Sequence, residues 1–279
     1  MKLALCNEVI RELDFSHQCT LCAELGYDGI ELAPFTLGDE PHMLTEGRRA
    51  EVRKALDAAG LELEGLHWLL VTPQDLSITT ADKAVRDRTI DVMRRLIALC
   101  HDLGGSLLVH GSPGQRRLPD GPDAEEARKR GDDAYAAIAG DAEAAGVTYC
   151  IEPLAPRMTN YLNTLEETTR LVEAIGSPAV RTMLDTCSAS HAESLDIPAL
   201  IDRWMPTGLV RHVQVNDYND QGPGQGRMKF APIMEALIRN GYDDWIAVEP
   251  FDYVPDGPGA AARAVGYLQG VLEAVRWRA

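Results

Sequence analysis

The chain has 279 residues, and 43 Asp and Glu side chains outnumber 27 Lys and Arg side chains, which gives a formal charge of −16. This charge repels polyphosphate backbones and anionic membrane surfaces, so we expect neither nucleic acid nor a membrane as a partner. The apolar run at the amino terminus is too short for a secretory signal, and no stretch approaches the roughly 20 residues of a membrane span, which predicts a cytoplasmic protein.

Short apolar runs bounded by turn residues recur along the chain and predict strands. Longer segments with helical spacing separate these runs and predict helices, several of which end at a glycine. In chain order the predicted strands are LALC, GIEL, LEGLHW, SLLVH, VTYCIE, VRTMLD, VRHVQVN and WIAVE. The predicted helices include residues 48–59, 83–103, 124–145, 165–175 and 233–240, and the terminating glycines are Gly60, Gly104, Gly146, Gly176 and Gly241.

The alternation of strand and helix predicts an α/β protein, because parallel strands need helical crossovers to connect them. Eight such units favour a closed barrel over an open sheet. Barrels of this kind routinely reach about 250 residues as one domain. The sequence therefore predicts a single (β/α)8 TIM-barrel domain over residues 1–279.

Polar side chains stand at the ends of four late strands: Glu152, Asp185, His212 or Gln214, and Glu249. A barrel places all of these strand ends around one mouth. Three buried carboxylates would repel one another and lose their hydration unless a cation neutralised them. Oxygen ligands favour Mg²⁺ or Mn²⁺, with Co²⁺ as a third candidate, over a thiolate-type zinc site. The sequence predicts one divalent metal ion at this mouth.

The seventh predicted strand offers two ligands for this ion. His212, Gln214 and Asn216 alternate with valines and therefore point to the same face. Residues two apart are separated by roughly 6.6 Å along a strand, so only one of them reaches the ion. If Gln214 is level with it, His212 lies one layer deeper.

Further candidates for substrate binding lie near the ends of the third and fourth predicted strands. His67, Trp68 and His110 could contact a sugar there, and the alternative is a structural histidine beside a packing tryptophan. Arg116, in the loop after His110, could bind an anionic group of the substrate, and the alternative is a solvated loop. His212 is a further candidate for substrate contact if Gln214 binds the metal.

Four motifs together resemble the xylose-isomerase-like sugar isomerase and epimerase family. They are GYDGIELAP at 26–34, YLNTLEET at 161–168, HVQVNDYNDQGPGQG at 212–226 and GYDDWIAVEPF at 241–251, so the resemblance covers most of the chain. In the ketose 3-epimerase branch the metal is held by Glu, Asp, His and Glu. The resemblance implies that Glu152, Asp185, Gln214 and Glu249 take these four places, which leaves Gln in place of His.

The chain departs from the epimerase pattern at three positions. Gln214 offers an amide oxygen, the ligand type used by hydroxypyruvate isomerases of the same superfamily. Ser188 stands where epimerases have a His, and Asp220 stands where they have an Arg; in the family both positions handle substrate oxygens. These departures leave the metal chemistry in place and make a free ketohexose a less secure substrate.

The resemblance implies a metal-dependent isomerase or epimerase of a small ketose or keto-sugar acid. A carbonyl and its neighbouring hydroxyl chelate the ion, deprotonation gives an enediolate, and Glu152 and Glu249 act as the acid–base pair. Dimers or tetramers are common in such families, so a homo-oligomer is compatible with the resemblance. Two alternatives remain: a lyase acting on an oxidised sugar by β-elimination, decarboxylation, dehydration or carbon–glycoside cleavage, and a non-catalytic barrel subunit.

Overall fold

The computed structural model describes residues 1–278 of the chain. Its strands are β1 (Lys2–Cys6), β2 (Gly29–Leu32), β3 (Glu62–Leu66), β4 (Leu107–His110), β5 (Thr148–Ile151), β6 (Val180–Asp185), β7 (Val210–Val215) and β8 (Trp245–Val248). Its α-helices are α1 (Phe15–Leu25), α2 (Glu46–Ala59), α3 (Lys83–Leu103), α4 (Ala124–Ala137), α5 (Ala139–Ala145), α6 (Leu165–Ile175), α7 (Thr186–Ala192), α8 (Ile197–Trp204), α9 (Phe230–Arg239) and α10 (Gly257–Arg278).

The strands form a closed barrel in sequence order, in which β8 returns to pair with β1. Every neighbouring pair is parallel, including β1 with β8, where Ala4 lies opposite Ala247. Helices connect the strands, which confirms the predicted (β/α)8 TIM barrel. No helix within residues 1–278 combines the length and the apolar character that a membrane span requires.

The helix ends follow the predicted stop signals closely. All five predicted terminating glycines have positive φ, between 68° at Gly146 and 88° at Gly104, a conformation that glycine adopts without steric cost. The helices predicted over 83–103 and 165–175 are confirmed with those bounds. The helix predicted over 124–145 is interrupted at Ile138. Ile138 keeps right-handed helical dihedral angles, so the helical spacing of apolar residues continues across it.

Strand alternation divides the buried residues into two sets. Leu107, Val109, Cys150 and Met183 pack together inside the barrel, whereas Leu108 and its outward-facing counterparts join the larger core beneath the helices. Polar residues interrupt the apolar interior on other strands: Glu31, Glu64, His212 and Gln214 are fully buried. The interior therefore contains charged groups close to the carboxyl ends of the strands, where the site lies.

Candidate active site

Three carboxylates meet at the carboxyl end of the barrel. Glu152 follows β5, Asp185 is the last residue of β6 and Glu249 follows β8. One oxygen from each lies within 4.8 Å of the other two, and all three side chains are buried. This spacing is compatible with one cation bound between them.

Unpaired oxygens surround this carboxylate cluster. Within residues 1–278, Asp185 Oδ2, Glu249 Oε2 and the amide oxygen of Gln214 are buried and accept no hydrogen bond. Burying such an acceptor without a donor costs about 1–3 kcal/mol, and more when the group is charged. A divalent cation that prefers oxygen ligands would satisfy all three. The donor set therefore fits Mg²⁺, Mn²⁺ or Co²⁺.

The raised pKa values of the three carboxyl groups are also those expected of a site that binds a cation. Burial, together with the charges of Glu249 and Asp185, raises the pKa of Glu152 well above its ordinary value. Burial also raises the pKa of Glu249 to about 8 and that of Asp185 to about 6, although hydrogen bonds from His67 and Ser188 act in the opposite direction. A nearby positive charge would stabilise the ionised carboxylates and lower these pKa values.

The register of β6 and β7 places Gln214 beside the cluster, because Asp185 pairs with Gln214 across the two strands. His212 lies deeper, with its Nδ1 2.9 Å from Glu64 Oε1 and its Nε2 3.4 Å from Glu31 Oε2. Burial acts to lower the pKa of His212, but these two carboxylates outweigh burial and raise it to about 10. Gln214 is therefore the β7 side chain at the level of Asp185, whereas His212 lies between two carboxylates of a deeper layer.

His67 and Trp68 both reach the cluster, where they contact a carboxylate. His67 Nδ1 lies 3.1 Å from Glu249 Oε1, and Trp68 Nε1 donates a hydrogen bond of 2.9 Å to the same oxygen. The other ring nitrogen of His67 lies 2.9 Å from Glu8 Oε2. Both side chains also line a small cleft beside Glu152 and Glu249. They can therefore orient Glu249 and border a substrate.

His110 and Arg116 do not line this cleft. Because Val109 points into the barrel, His110 points outward, where its Nδ1 lies 2.8 Å from the Tyr149 hydroxyl and its ring packs edge-on against Tyr135. Arg116 is fully buried instead of solvated, and it donates long hydrogen bonds to the carbonyl oxygens of His110 (3.5 Å) and Leu162 (3.4 Å). Neither side chain therefore borders the cleft that Glu152 and Glu249 share.

The remaining cleft residues come from loops. They include Ser112, Leu154, Met158 and Phe251, and the Phe251 ring packs edge-on against Trp68 at 6.2 Å. Phe251 ends the motif GYDDWIAVEPF, whereas Ser112, Leu154 and Met158 belong to no motif that would have selected them from the sequence. Glu64 on β3 was not among the predicted site residues, and the register shift between β2 and β3 at Ile30 and Glu31 cannot be seen in the sequence.

The position of the absent epimerase-like arginine has its own arrangement. Asp220 accepts a hydrogen bond of 2.5 Å from Arg157, which comes from the loop after β5. Arg157 Nη2 also lies 3.8 Å from the Cys187 sulfur, two residues beyond Asp185. A guanidinium group is therefore present near this side of the site, but it is supplied by a different loop.

A parallel eight-stranded barrel with buried carboxylates at the carboxyl ends of its strands defines a TIM-barrel protein with an enzyme-like site. The chain belongs to the xylose isomerase-like TIM barrel family, whose pattern it matches over residues 19–271. This match confirms the resemblance that the four motifs indicated.

Individual relatives are sugar epimerases. An L-ribulose 3-epimerase of Mesorhizobium japonicum is 31% identical over 183 residues, which cover 64% of this chain and 59% of that protein. A D-psicose 3-epimerase of Ruminiclostridium cellulolyticum is 27% identical over 251 residues, covering 86% of this chain and 79% of that protein. The solved structure of an L-ribulose 3-epimerase superposes with a TM-score of 0.83 at 25% identity, covering 99% of this chain and 96% of that one.

Proposed function

We propose that this protein is a divalent-metal-dependent epimerase of a small ketose or keto-sugar, with Glu152 and Glu249 as its acid–base pair. The observation that carries the proposal is the buried cluster of Glu152, Asp185 and Glu249, with oxygens that accept no hydrogen bond within the described chain. Glu152, Asp185, Gln214 and Glu249 would hold one Mn²⁺, Mg²⁺ or Co²⁺ ion. When bound, such an ion polarises a substrate carbonyl and stabilises negative charge on its oxygen.

Glu249 is prepared for proton transfer by the groups around it. His67 and Trp68 both contact its Oε1, which fixes the carboxylate and leaves Oε2 uncommitted. Burial raises the pKa of Glu249 to about 8, against the opposing effect of His67, so the group can exchange a proton near neutral pH. Glu249 is thus suited to accept or return a proton at a carbon next to a ketone.

Glu152 is the complementary group, and a different kind of contact holds it. Its Oε2 lies so close to Gly111 that a Cβ built on that glycine would be 2.2 Å away. Burial and the charges of Glu249 and Asp185 raise its pKa well above the ordinary value. Removal of a proton from one face by one ionised glutamate, followed by donation of a different proton from the other, protonated glutamate to the opposite face, would invert the carbon; the reverse reaction exchanges the two roles.

The cleft walls suit a reaction that must exclude water. Trp68, Phe251, Leu154 and Met158 border the same space as the two glutamates. Apolar walls strengthen electrostatic interactions with developing charge and protect an enediolate from stray protons. Relatives are named for L-ribulose, D-psicose and fructoselysine 3-epimerisation, so we propose that the inverted carbon is C3 of a ketose.

The test is an epimerisation assay with the purified protein loaded with Mn²⁺, Mg²⁺ or Co²⁺. L-ribulose, D-psicose and fructoselysine are incubated separately, and the products are identified by nuclear magnetic resonance. We expect a C3 epimer from at least one ketose, loss of activity after treatment with a chelator, and no activity in a folded Asp185→Asn variant. Elimination products, or unchanged ketoses with the metal-loaded protein, would contradict the proposal.

A further inference from the structure

We infer that Glu31 is a positioning residue that orients the Gln214 side chain, so that its amide oxygen faces the carboxylate cluster. The inference rests on the proposed metal site. Gln214 Nε2 donates a hydrogen bond of 3.1 Å to Glu31 Oε2, and both side chains are fully buried inside the barrel.

A glutamine ligand needs such a partner because the two ends of its amide group are nearly equal in size and opposite in chemistry. The oxygen can bind a cation, whereas the NH₂ group can only donate. An ionised carboxylate accepts hydrogen bonds and donates none. Contact with Glu31 therefore selects the orientation in which the NH₂ group of Gln214 faces Glu31. The amide oxygen is then directed elsewhere, and it is the atom without a partner in the described chain.

The height of Gln214 in the barrel determines which groups its amide oxygen can approach. Gln214 is paired with Asp185 on β6, so the two side chains leave their strands at the same height. Asp185 Oδ1 accepts a hydrogen bond from the Ser188 backbone, and Oδ2 is the unpaired oxygen. The free oxygens of Asp185 and Gln214 thus belong to neighbouring residues at the mouth, where one ion could contact both.

Glu31 is itself anchored from below. His212 Nε2 lies 3.4 Å from the same Glu31 oxygen, and Cys6 Sγ donates to it at 3.3 Å. The other nitrogen of His212 lies 2.9 Å from Glu64 Oε1. His212 therefore lies between the two carboxylates, with one ring nitrogen facing each of them. The layer formed by Glu64, His212 and Glu31 therefore lies below Gln214 and contacts it through Glu31.

The competing explanation is that Glu31 acts only through its charge. A buried carboxylate near a cation site strengthens binding at a distance, whatever residue occupies position 214. The two explanations differ in one measurable respect. If Glu31 acts through Gln214, its contribution disappears once Gln214 is removed; if it acts through charge alone, the contribution persists.

A double-mutant cycle on Mn²⁺ affinity tests this difference. The dissociation constant of Mn²⁺ is measured by isothermal titration calorimetry for the wild type, Glu31→Gln, Gln214→Ala and the double variant. We expect Glu31→Gln to weaken binding by about 10- to 100-fold in the wild-type background, the usual effect of losing a partner that orients a metal ligand. In the Gln214→Ala background, we expect the same change to weaken binding less than about threefold.

The control is Glu62→Gln, which removes an exposed carboxylate that pairs with Lys2 at the opposite end of β3, and which should leave the Mn²⁺ dissociation constant unchanged. Equal losses from Glu31→Gln in both backgrounds, or no loss in the wild-type background, would overturn the inference. A wild type that binds Mn²⁺ but epimerises no ketose would count against the proposed function alone, because the cycle reads affinity and not activity.

A second measurement applies if Glu31→Gln fails to fold, as judged by circular dichroism. The crystal structure of the wild type loaded with Mn²⁺ should show Gln214 Oε1 on the ion and Nε2 within hydrogen-bond distance of Glu31. An ion bound by His212, or a Gln214 side chain turned away from Glu31, would overturn the inference without any variant.

Discussion

Gly111 limits where the Glu152 carboxylate can lie. A methyl group at this position would stand 2.2 Å from Glu152 Oε2, so Gly111→Ala should push the carboxylate out of place. Displacement of a reacting group by about 1 Å can cost about 100-fold in rate, and we expect a loss of that order in kcat. Gly114→Ala lies in the same loop with nothing within 4 Å and should keep wild-type kcat. Equal activity of the two variants would show that Glu152 tolerates the displacement.

Trp68 offers a second test of a single side chain. Its indole N–H donates to Glu249 Oε1 and its ring borders the cleft, so Trp68→Phe removes the donor and keeps an aromatic wall. A hydrogen bond to a charged group contributes about 1.5–3 kcal/mol, which predicts a decrease of about 10- to 100-fold in kcat with a smaller change in KM. Steady-state kinetics decide between this result and a pure KM effect, which would assign Trp68 to substrate contact alone.

Residue-level prediction from the sequence placed Glu152, Asp185 and Glu249 around one mouth of the barrel, and in the structure one oxygen from each lies within 4.8 Å of the other two. It failed to give His110 the right side of the barrel, because strand-end position was weighed above the two-residue alternation that turns Val109 inward and His110 outward. Arg116 could not be placed from the sequence, because its burial depends on backbone carbonyls brought together by tertiary structure.

At the scale of elements, α10 shows what sequence patterns leave out. This helix contains four glycines, which weaken its helical signal in the sequence. The structure gives its first residue a specific role. A Cβ at Gly257 would lie 1.9 Å from the carbonyl oxygen of Val9, so the start of α10 packs directly on the chain segment that follows β1. A close backbone contact of this kind does not appear in the spacing of apolar residues along the sequence.

This contact predicts opposite effects for two substitutions in one helix. Gly257→Ala forces the backbone apart and should lower the free energy of unfolding by about 1–3 kcal/mol. Gly266→Ala has open space around it and should leave that energy unchanged or raise it by up to about 1 kcal/mol, because alanine favours the helix. Urea unfolding monitored by circular dichroism measures both. A Gly257→Ala variant as stable as Gly266→Ala would mean that α10 shifts freely at its start.

At the scale of the whole molecule, the buried carboxylates couple stability to pH and to metal. Burial raises the folded-state pKa of Glu249 from an ordinary 4.5 to about 8, and that of Asp185 from 3.8 to about 6. At pH values between the unfolded-state and the folded-state pKa of each group, the metal-free folded protein binds more protons than the unfolded chain. These two groups therefore make the free energy of unfolding fall as pH rises. A bound cation displaces those protons and removes the penalty.

The increase in melting temperature caused by saturating Mn²⁺ should therefore grow between pH 5 and pH 8. Differential scanning fluorimetry with and without Mn²⁺, in buffers that do not chelate metal, measures the difference at each pH. The matched control is the double variant Asp185→Asn with Glu249→Gln. Because neither amide titrates, the difference in melting temperature with and without Mn²⁺ should be small at every pH. If Mn²⁺ raises the melting temperature of the wild type equally at every pH in this range, metal binding does not depend on the protonation of these two carboxylates.

The overall architecture was predictable because the βα repeat, the glycine stops and the family motifs agree along the chain. A single domain over 1–279, a homo-oligomer and a cytoplasmic location stay predictions. The interior layer of Glu31, Glu64 and His212 was less accessible from sequence, since strands from distant parts of the chain bring these residues together.

The measurement that tests the central claim most directly is the metal content of the purified protein, determined by elemental mass spectrometry. The wild type is compared with Glu152→Ala, Asp185→Ala, Gln214→Ala and Glu249→Ala after each has been refilled with Mn²⁺ and freed of excess ion. We expect about one Mn²⁺ ion per wild-type chain, and its loss from the folded variants. A wild type that retains no divalent ion after refilling would contradict the metal-dependent epimerase.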